Sequence, residues 1–537
     1  MTHYRYKFSY LYFFLIAVIS LGIFFRFVNL DKKVYWIDEV HTSVRVVGYK
    51  KTEFVDEVPS DRIINIQDLQ VFQRLSPERN WFDTINALAA NAEHTPAYYA
   101  IARLAMQIFG SSVTVTRGVA AVISLFVFPC VYWLCLELFA APLVGWIAMA
   151  LVAVSPIHVL YAQEARQYSL LTVTTLLASI AFLRAIRQKT KLSWGMYALT
   201  VVLGLYSHLL FILVSFAHGV YLLLLEQFRV TKNFLAYLIA SLVAIATLIP
   251  WIILYFINAS SIGEWTARAI SFEALIQRWL LNFTALFFDM QVAYNNAQFF
   301  DVEAGNDIQF NANDVLLYVI PLFIALVVYA FYILCSRTSI SSWLFVVTLL
   351  IIPTISLVLP DLISGGQRSS IARYLLPGYV AIQIAVAYLF ANRLTASLKY
   401  SQQKVWQIIL AIALASGTIS CIVSAQAETW WNKYSSYYNP EIANIINQAN
   451  QPLAISSQRR VSRITSLSYE LEPNVSVLLV SETEIPEDVK RFREIFLFRP
   501  DAELQARLQN DPEYKLELLH APGQLWRVQI DEAQLSN

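Results

Sequence analysis

Stretches of about 20 mostly apolar residues recur along nearly the whole chain, each long enough to cross ~30 Å of hydrocarbon as a helix. Inside a bilayer every backbone polar group needs an internal partner, which leaves helices or closed barrels, and barrels show only short alternating strands. The sequence therefore specifies an α-helical polytopic membrane protein. Only 14% of the 537 residues are charged, against about 25% in soluble domains. The formal net charge of +1 singles out no acidic partner. No GxGxxG or GxxxxGKS/T loop is present, so neither nucleotide nor nucleic acid binding is indicated.

The first span, Phe8 to Val28, follows Arg5 and Lys7 and lacks a small-residue cleavage site, so it reads as a retained helix. Further spans are expected at roughly 113–136, 143–160, 168–187, 194–208, 209–227, 234–256, 314–335, 342–360, 374–392 and 405–425, about eleven in all. Residues 29–112 form a mostly polar first loop. Its end, Tyr98 to Phe109, repeats apolar residues at helical spacing and carries Arg103, which suits a short span or an amphipathic helix on the surface. Charge decides between them. With a surface helix, the short loops on the side of the N-terminus hold ten lysines and arginines between Arg184 and Lys404. Those on the other side hold only Arg166, Arg368 and Arg373. The positive-inside rule then places the N-terminus in the cytoplasm and the first loop and C-terminus outside.

From about Ala427 the composition turns polar. The runs PLAISS, VSVLLVS, EIFLFRP and QLWRVQI read as strands, and PEIANIINQAN and PDAELQARLQ as helices. Residues 426–537 are thus expected to form a small soluble α/β domain beyond a membrane part of residues 1–425. Cys130, Cys135, Cys335 and Cys421 all lie in apolar segments and fit core packing better than disulfides or thiolate metal sites.

Three groups of polar residues sit where they are costly. In VYWIDEVHTS, Asp38 and Glu39 stand side by side at a membrane edge, with His41 next to them. Half-desolvated and beside a like charge, such a carboxyl should have a raised pKa and can serve as a general base; capping a loop helix is the ordinary alternative. In SPIHVLYAQEARQYSLL, Glu164 and Arg166 interrupt apolar sequence between Tyr161 and Tyr168. In GGQRSSIARYLLPGY, Arg368 and Arg373 flank the start of a span, where a guanidinium can hold a phosphate. Interfacial snorkelling is the ordinary reading of these arginines. His94, His208 and the cluster TWWNKYSSYY are weaker signals, the last reading as an interfacial aromatic belt. The sequons at Asn258, Asn282 and Asn474 matter only in a eukaryotic secretory pathway.

The acidic pair after the first span, the HxPxYY segment at His94, the SPxHxxYxQEARxYSL block and RYLLPxY together resemble the GT-C glycosyltransferases. The nearest group is glycosyltransferase family 39, the protein mannosyltransferase-like proteins with bacterial relatives that include the aminoarabinose transferases of lipid A. The resemblance covers roughly residues 8–425. It departs from the family at His94-Thr95-Pro96, where HPP is usual. It implies a GT-C fold and a sugar donor carried on a polyprenyl or dolichyl phosphate. It further implies inverting transfer of a monosaccharide to an acceptor hydroxyl on a protein, glycolipid or wall polymer, in cell-envelope glycosylation. The expected roles are Asp38 or Glu39 as base and Arg373, with Arg166 or Arg368, on the phosphate. Glu164, Tyr168, Tyr374 and His94 would complete the donor site. A bacterial plasma (inner) membrane follows from the resemblance. Two carboxylates with histidines nearby could hold a divalent metal ion, though no ligand spacing demands one. A transporter or flippase of lipid-linked sugars, or an oligosaccharide ligase or polymerase, is the competing reading. Paired repeats with broken spans, the mark of a transporter, are not found in the sequence.

Overall fold

The computed structural model describes residues 2–258, 264–291, 315–396, 399–481 and 485–530. Among them, eight helices are long and apolar enough to cross a membrane, running from Tyr10–Phe27 to Tyr400–Ser436. The other three expected spans are also helical. Residues 142–162 form a pair, Pro142–Ala153 and Pro156–Ala162, bent by 63°. Lys191–Ser207 and Phe211–Leu225 have 17 and 15 residues, about 26 and 22 Å at 1.5 Å per residue, which is short of ~30 Å of hydrocarbon. The expected count of eleven thus resolves into eight full-length helices, a ninth if the bent pair is one span, and two shorter helices. Three of the four cysteines are buried, but Cys335 is exposed on its helix rather than packed in the core.

The bend has a local cause. Pro156 has no N–H to donate, and Ser155 before it is extended (φ −70°, ψ 118°). The carbonyls freed by the break are taken up from outside: Arg26 donates to Ala153 O (2.7 Å) and Val152 O (3.1 Å). Beyond the break, Ile157 N–H donates to Ala285 O (3.0 Å). Gly22 and Gly417 let two helices approach this point so closely that an added methyl would overlap Ala153 O or Val154 O. Gly22→Ala and Gly417→Ala are each expected to destabilise the protein by about 1–3 kcal/mol. The check is the apparent unfolding temperature of the detergent-solubilised protein, with Gly195→Ala, at an open position, as the neutral control.

In the first loop, Pro96–Phe109 is a helix of 14 residues. It buries Tyr98, Tyr99, Ala102 and Met106 and exposes Ile101, Leu104, Ile108 and Phe109, the two-sided pattern of a helix between protein and lipid. Arg103 does not snorkel. It is 2% exposed and donates to Val46 O (2.8 Å) and Val47 O (2.9 Å), capping the carbonyl end of helix Ile37–Val47.

The C-terminal domain is a six-stranded sheet. Its strands are β1 (Ile63–Asn65), β2 (Pro452–Ser457), β3 (Ser476–Val480), β4 (Glu494–Phe498), β5 (Tyr514–His520) and β6 (Leu525–Ile530). The order is β1-β3-β2-β4-β6-β5, with the β2–β3 and β2–β4 pairs parallel and the rest antiparallel. The four expected strands and both expected helices are present. The expected boundary at 426 is not a clean one, because β1 comes from the first loop and pairs Ile63 with Leu478. Residues 531–537 of the expected domain lie outside the described residues.

Candidate active site

The short helix Ile37–Val47 presents the acidic pair. It ends at Gly48, whose φ of 114° only glycine adopts freely and whose N–H closes the last turn on Val44 O. Adjacent residues on a helix point about 100° apart, so the two carboxylates part. Asp38 faces a cavity of about 810 Å³. Glu39 is fully buried behind it.

Asp38 Oδ2 lies 3.4 Å from Arg373 Nη2 and 3.6 Å from Arg166 Nη2. Arg373 sits among the rings of Trp36, Tyr168, Tyr374 and Tyr434, 5.5–5.9 Å from their centroids. Asp38 was expected to have a raised pKa, and burial does push it up. The guanidiniums of Arg166 and then Arg373 outweigh that and hold it at about 2. Without a ligand, the carboxylate is the counter-ion of the two arginines.

Glu39 does not reach the cavity. Its carboxylate takes both Arg117 Nη2 (2.7 Å) and Nε (2.8 Å), the Ala165 N–H (2.9 Å) and Lys433 Nζ (3.1 Å). Burial raises its pKa, and Arg117 with Lys433 more than reverses the shift. Glu164, expected to meet sugar hydroxyls or fix Arg166, is also fully buried and takes Asn432 Nδ2 at 2.6 Å, with Lys433 Nζ at 3.7 Å. Burial pushes its carboxyl up. The two buried acids share one lysine beneath the site; only Asp38 faces outward.

Of the other expected residues, Arg166, Tyr168, Tyr374, His94 and Arg368 all line the cavity. Arg368 is already engaged, donating to Asp361 Oδ1 (3.0 Å), which makes it a poorer phosphate ligand than Arg373. His94 is held neutral by burial and by Arg45, which bring its pKa to about 4, while Glu93 lies 3.2 Å from its Nε2. His208 lines the cavity too, with its ring beside Tyr168 and Tyr374. Tyr255 and Leu357 from long apolar helices, with Leu209 and Leu210 from the turn between Lys191–Ser207 and Phe211–Leu225, supply an apolar wall. Among the described residues no group of three His, Cys, Asp or Glu side chains could hold a metal ion. Asp38 faces two guanidiniums, and Glu39 faces Arg117 and Lys433.

Several participants were not singled out in the sequence. Arg117 lies within an expected span, where an ionisable residue is itself a signal. Asn432, Lys433 and Tyr434 belong to TWWNKYSSYY, which is no interfacial belt. Trp430 and Trp431 are 1% and 3% exposed, and both indoles donate to Asp289 Oδ2 (2.9 and 2.7 Å). Tyr434 has φ 30° and ψ −110°, a strained conformation of the kind that clusters at functional sites. Arg45, two turns beyond Asp38 on the same helix, was also missed; its Nη2 donates to Asn91 Oδ1 (2.6 Å).

Residues 93–254 match the family model described as dolichyl-phosphate-mannose-protein mannosyltransferase, a match that includes His94, Glu164, Arg166 and Tyr168. No curated protein matches the chain. Among solved structures, the chain is similar to ArnT from Cupriavidus metallidurans in the apo state (11% identity, TM-score 0.47), covering 96% of this chain and 97% of that one. It is also similar to the archaeal oligosaccharyltransferase AglB from Archaeoglobus fulgidus in complex with an inhibitory peptide and a dolichol-phosphate (12% identity, TM-score 0.47), covering 96% and 74%.

Proposed function

We propose that this chain, similar over residues 93–254 to the mannosyltransferase family, is an inverting glycosyltransferase. It moves a monosaccharide from a polyprenyl-phosphate donor to an acceptor hydroxyl on the extracytoplasmic face of the membrane. The observation that carries the reading is the contact of Asp38 with both Arg166 and Arg373 in a cavity that also has an apolar wall. A carboxylate fits proton abstraction, paired guanidiniums fit a phosphodiester, and Leu209, Leu210 and Leu357 fit the start of an isoprenoid tail.

In the reaction, Asp38 takes the proton of the acceptor hydroxyl as the oxygen attacks the anomeric carbon. The bond from that carbon to the phosphate oxygen breaks, and the lipid phosphate leaves with its charge held by Arg373 and Arg166. Donor binding also prepares the base. A phosphate sharing the two arginines weakens their hold on Asp38, and its own charge raises the carboxyl further above 2. Glu39 and Glu164 act at one remove by fixing the helix and the 163–167 turn that carry Asp38 and Arg166.

The test is reconstituted protein with radiolabelled polyprenyl-phosphate sugars, read as loss of sugar from the lipid. Arg373→Ala is expected to weaken donor binding by about 10–100-fold, the loss of a charge-assisted phosphate contact. A wild-type protein that binds the lipid-linked sugar and moves it across the bilayer without cleaving it would instead be a transporter.

A further inference from the structure

The cations of the cavity are not all spoken for by the donor. Arg166 and Arg373 share Asp38, and Arg368 has Asp361. Arg45 and Lys51, on the wall formed by the far end of helix Ile37–Val47 and the start of the next, make no ion pair among the described residues. Arg45 is only 6% exposed. Its guanidinium donates to two neutral acceptors, Asn91 Oδ1 (2.6 Å) and His41 O (3.4 Å). The two cavity carboxylates whose charge reaches it, Glu93 and Asp38, are turned to other partners, Glu93 to His94 and Asp38 to Arg166 and Arg373. Burying a guanidinium without a counter-ion is costly, and this one lines a cavity large enough for a second ligand group.

We propose that Arg45, with Lys51, is an anion subsite for the acceptor, taking a phosphate or carboxylate carried on an acceptor saccharide. The proposal rests on the transferase reading above. Arg45 follows Asp38 by seven residues, two turns, so both lie on one face of the helix about 10 Å apart along its axis. In an in-line displacement the acceptor enters opposite the leaving phosphate. A hydroxyl held by Asp38 therefore has the rest of its molecule running away from Arg373, toward Arg45. That wall offers Asn91 and His41, amide and imidazole groups suited to sugar hydroxyls. The soluble domain closes this end, with Ser462 Oγ 2.9 Å from His41 Nε2. The acceptor is thus an anionic saccharide, free or lipid-borne, whose charged group lies about two helical turns from the hydroxyl that reacts.

The experiment uses the full chain in detergent, with undecaprenyl phosphate saturating the donor side, and calorimetric titration of glucose 6-phosphate, glucuronic acid, glucose and an acidic hexapeptide. Glucose 6-phosphate or glucuronic acid is expected to bind the saturated wild type, and glucose not. Arg45→Gln should weaken that binding about tenfold and Lys51→Ala about threefold. Undecaprenyl phosphate affinity should be unchanged in both, which also reports that they fold. A parallel titration with a short-chain anionic glycolipid separates a lipid-borne acceptor (tighter than the free sugar) from a soluble one (equal affinity). Displacement of glucose 6-phosphate by undecaprenyl phosphate would mean one anion site and overturn the proposal, as would unaltered binding in Arg45→Gln. Arg45-dependent binding of the hexapeptide alone would replace the saccharide by a protein acceptor. If wild type binds no undecaprenyl phosphate while Arg45 still governs sugar phosphate binding, the transferase reading fails and the acceptor assignment falls with it.

Discussion

Asp38→Asn is expected to cut sugar transfer by about 10²–10⁴-fold while donor binding is kept or tightened. The substitution keeps the shape of the side chain and its place in the cavity, but an amide accepts no proton from a hydroxyl. It also removes a negative charge from beside the site assigned to the lipid phosphate, so the donor no longer competes with Asp38 for Arg166 and Arg373. A pH profile adds a second reading. The acid limb of kcat/KM reports the free protein, where Asp38 is held at about 2, so this parameter should stay flat to the lowest pH at which the chain remains folded. The limb of kcat reports the donor complex, where the arginines are shared, and should lie at higher pH. Normal turnover by Asp38→Asn would remove the base assignment outright.

Glu39→Gln should fail in a different way. The glutamate is the shared partner of Arg117 and Lys433, and losing one member of a buried ion pair costs about 3–5 kcal/mol because the other charge is left uncompensated. We expect a drop in apparent unfolding temperature and a smaller monodisperse fraction after solubilisation, with activity falling in proportion. Asp38→Asn also takes a carboxylate from the buried Arg166 and Arg373 and should lose some stability, but it should keep donor binding, and bound donor phosphate should restore the loss. A Glu39→Gln protein of native stability that transfers no sugar would return Glu39 to the chemistry.

What could be read from the sequence follows from the range of the physics involved. Span positions and the strands of the C-terminal sheet are local patterns of hydropathy, and they are found where expected. Asp38, Arg166 and Arg373 stood out because a charge interrupting apolar sequence is costly, and they do meet. The division of labour between Asp38 and Glu39 was not legible, since neighbours in sequence differ only by the direction in which the helix points them. Nor was the low pKa of Asp38, which depends on guanidiniums 128 and 335 residues away in the chain. Lys433 was hidden by its neighbours: among tryptophans and tyrosines it reads as interfacial, and its real partner lies 394 residues back. Strand β1, only three residues long, has no signal apart from the sheet it joins.

The bond between Glu39 and Lys433 also sets an order of events during synthesis. At about 5–20 residues per second, roughly 20–80 s separate the emergence of the glutamate from that of its lysine. From the emergence of residue 164 until then, Glu39 has Arg117 but not Lys433, and Glu164 has neither Lys433 nor Asn432. A chain that stops between residues 164 and 432 has both acids to bury and is one cation short of the native set. Copies truncated in that range are therefore expected to be less stable than chains that carry Lys433.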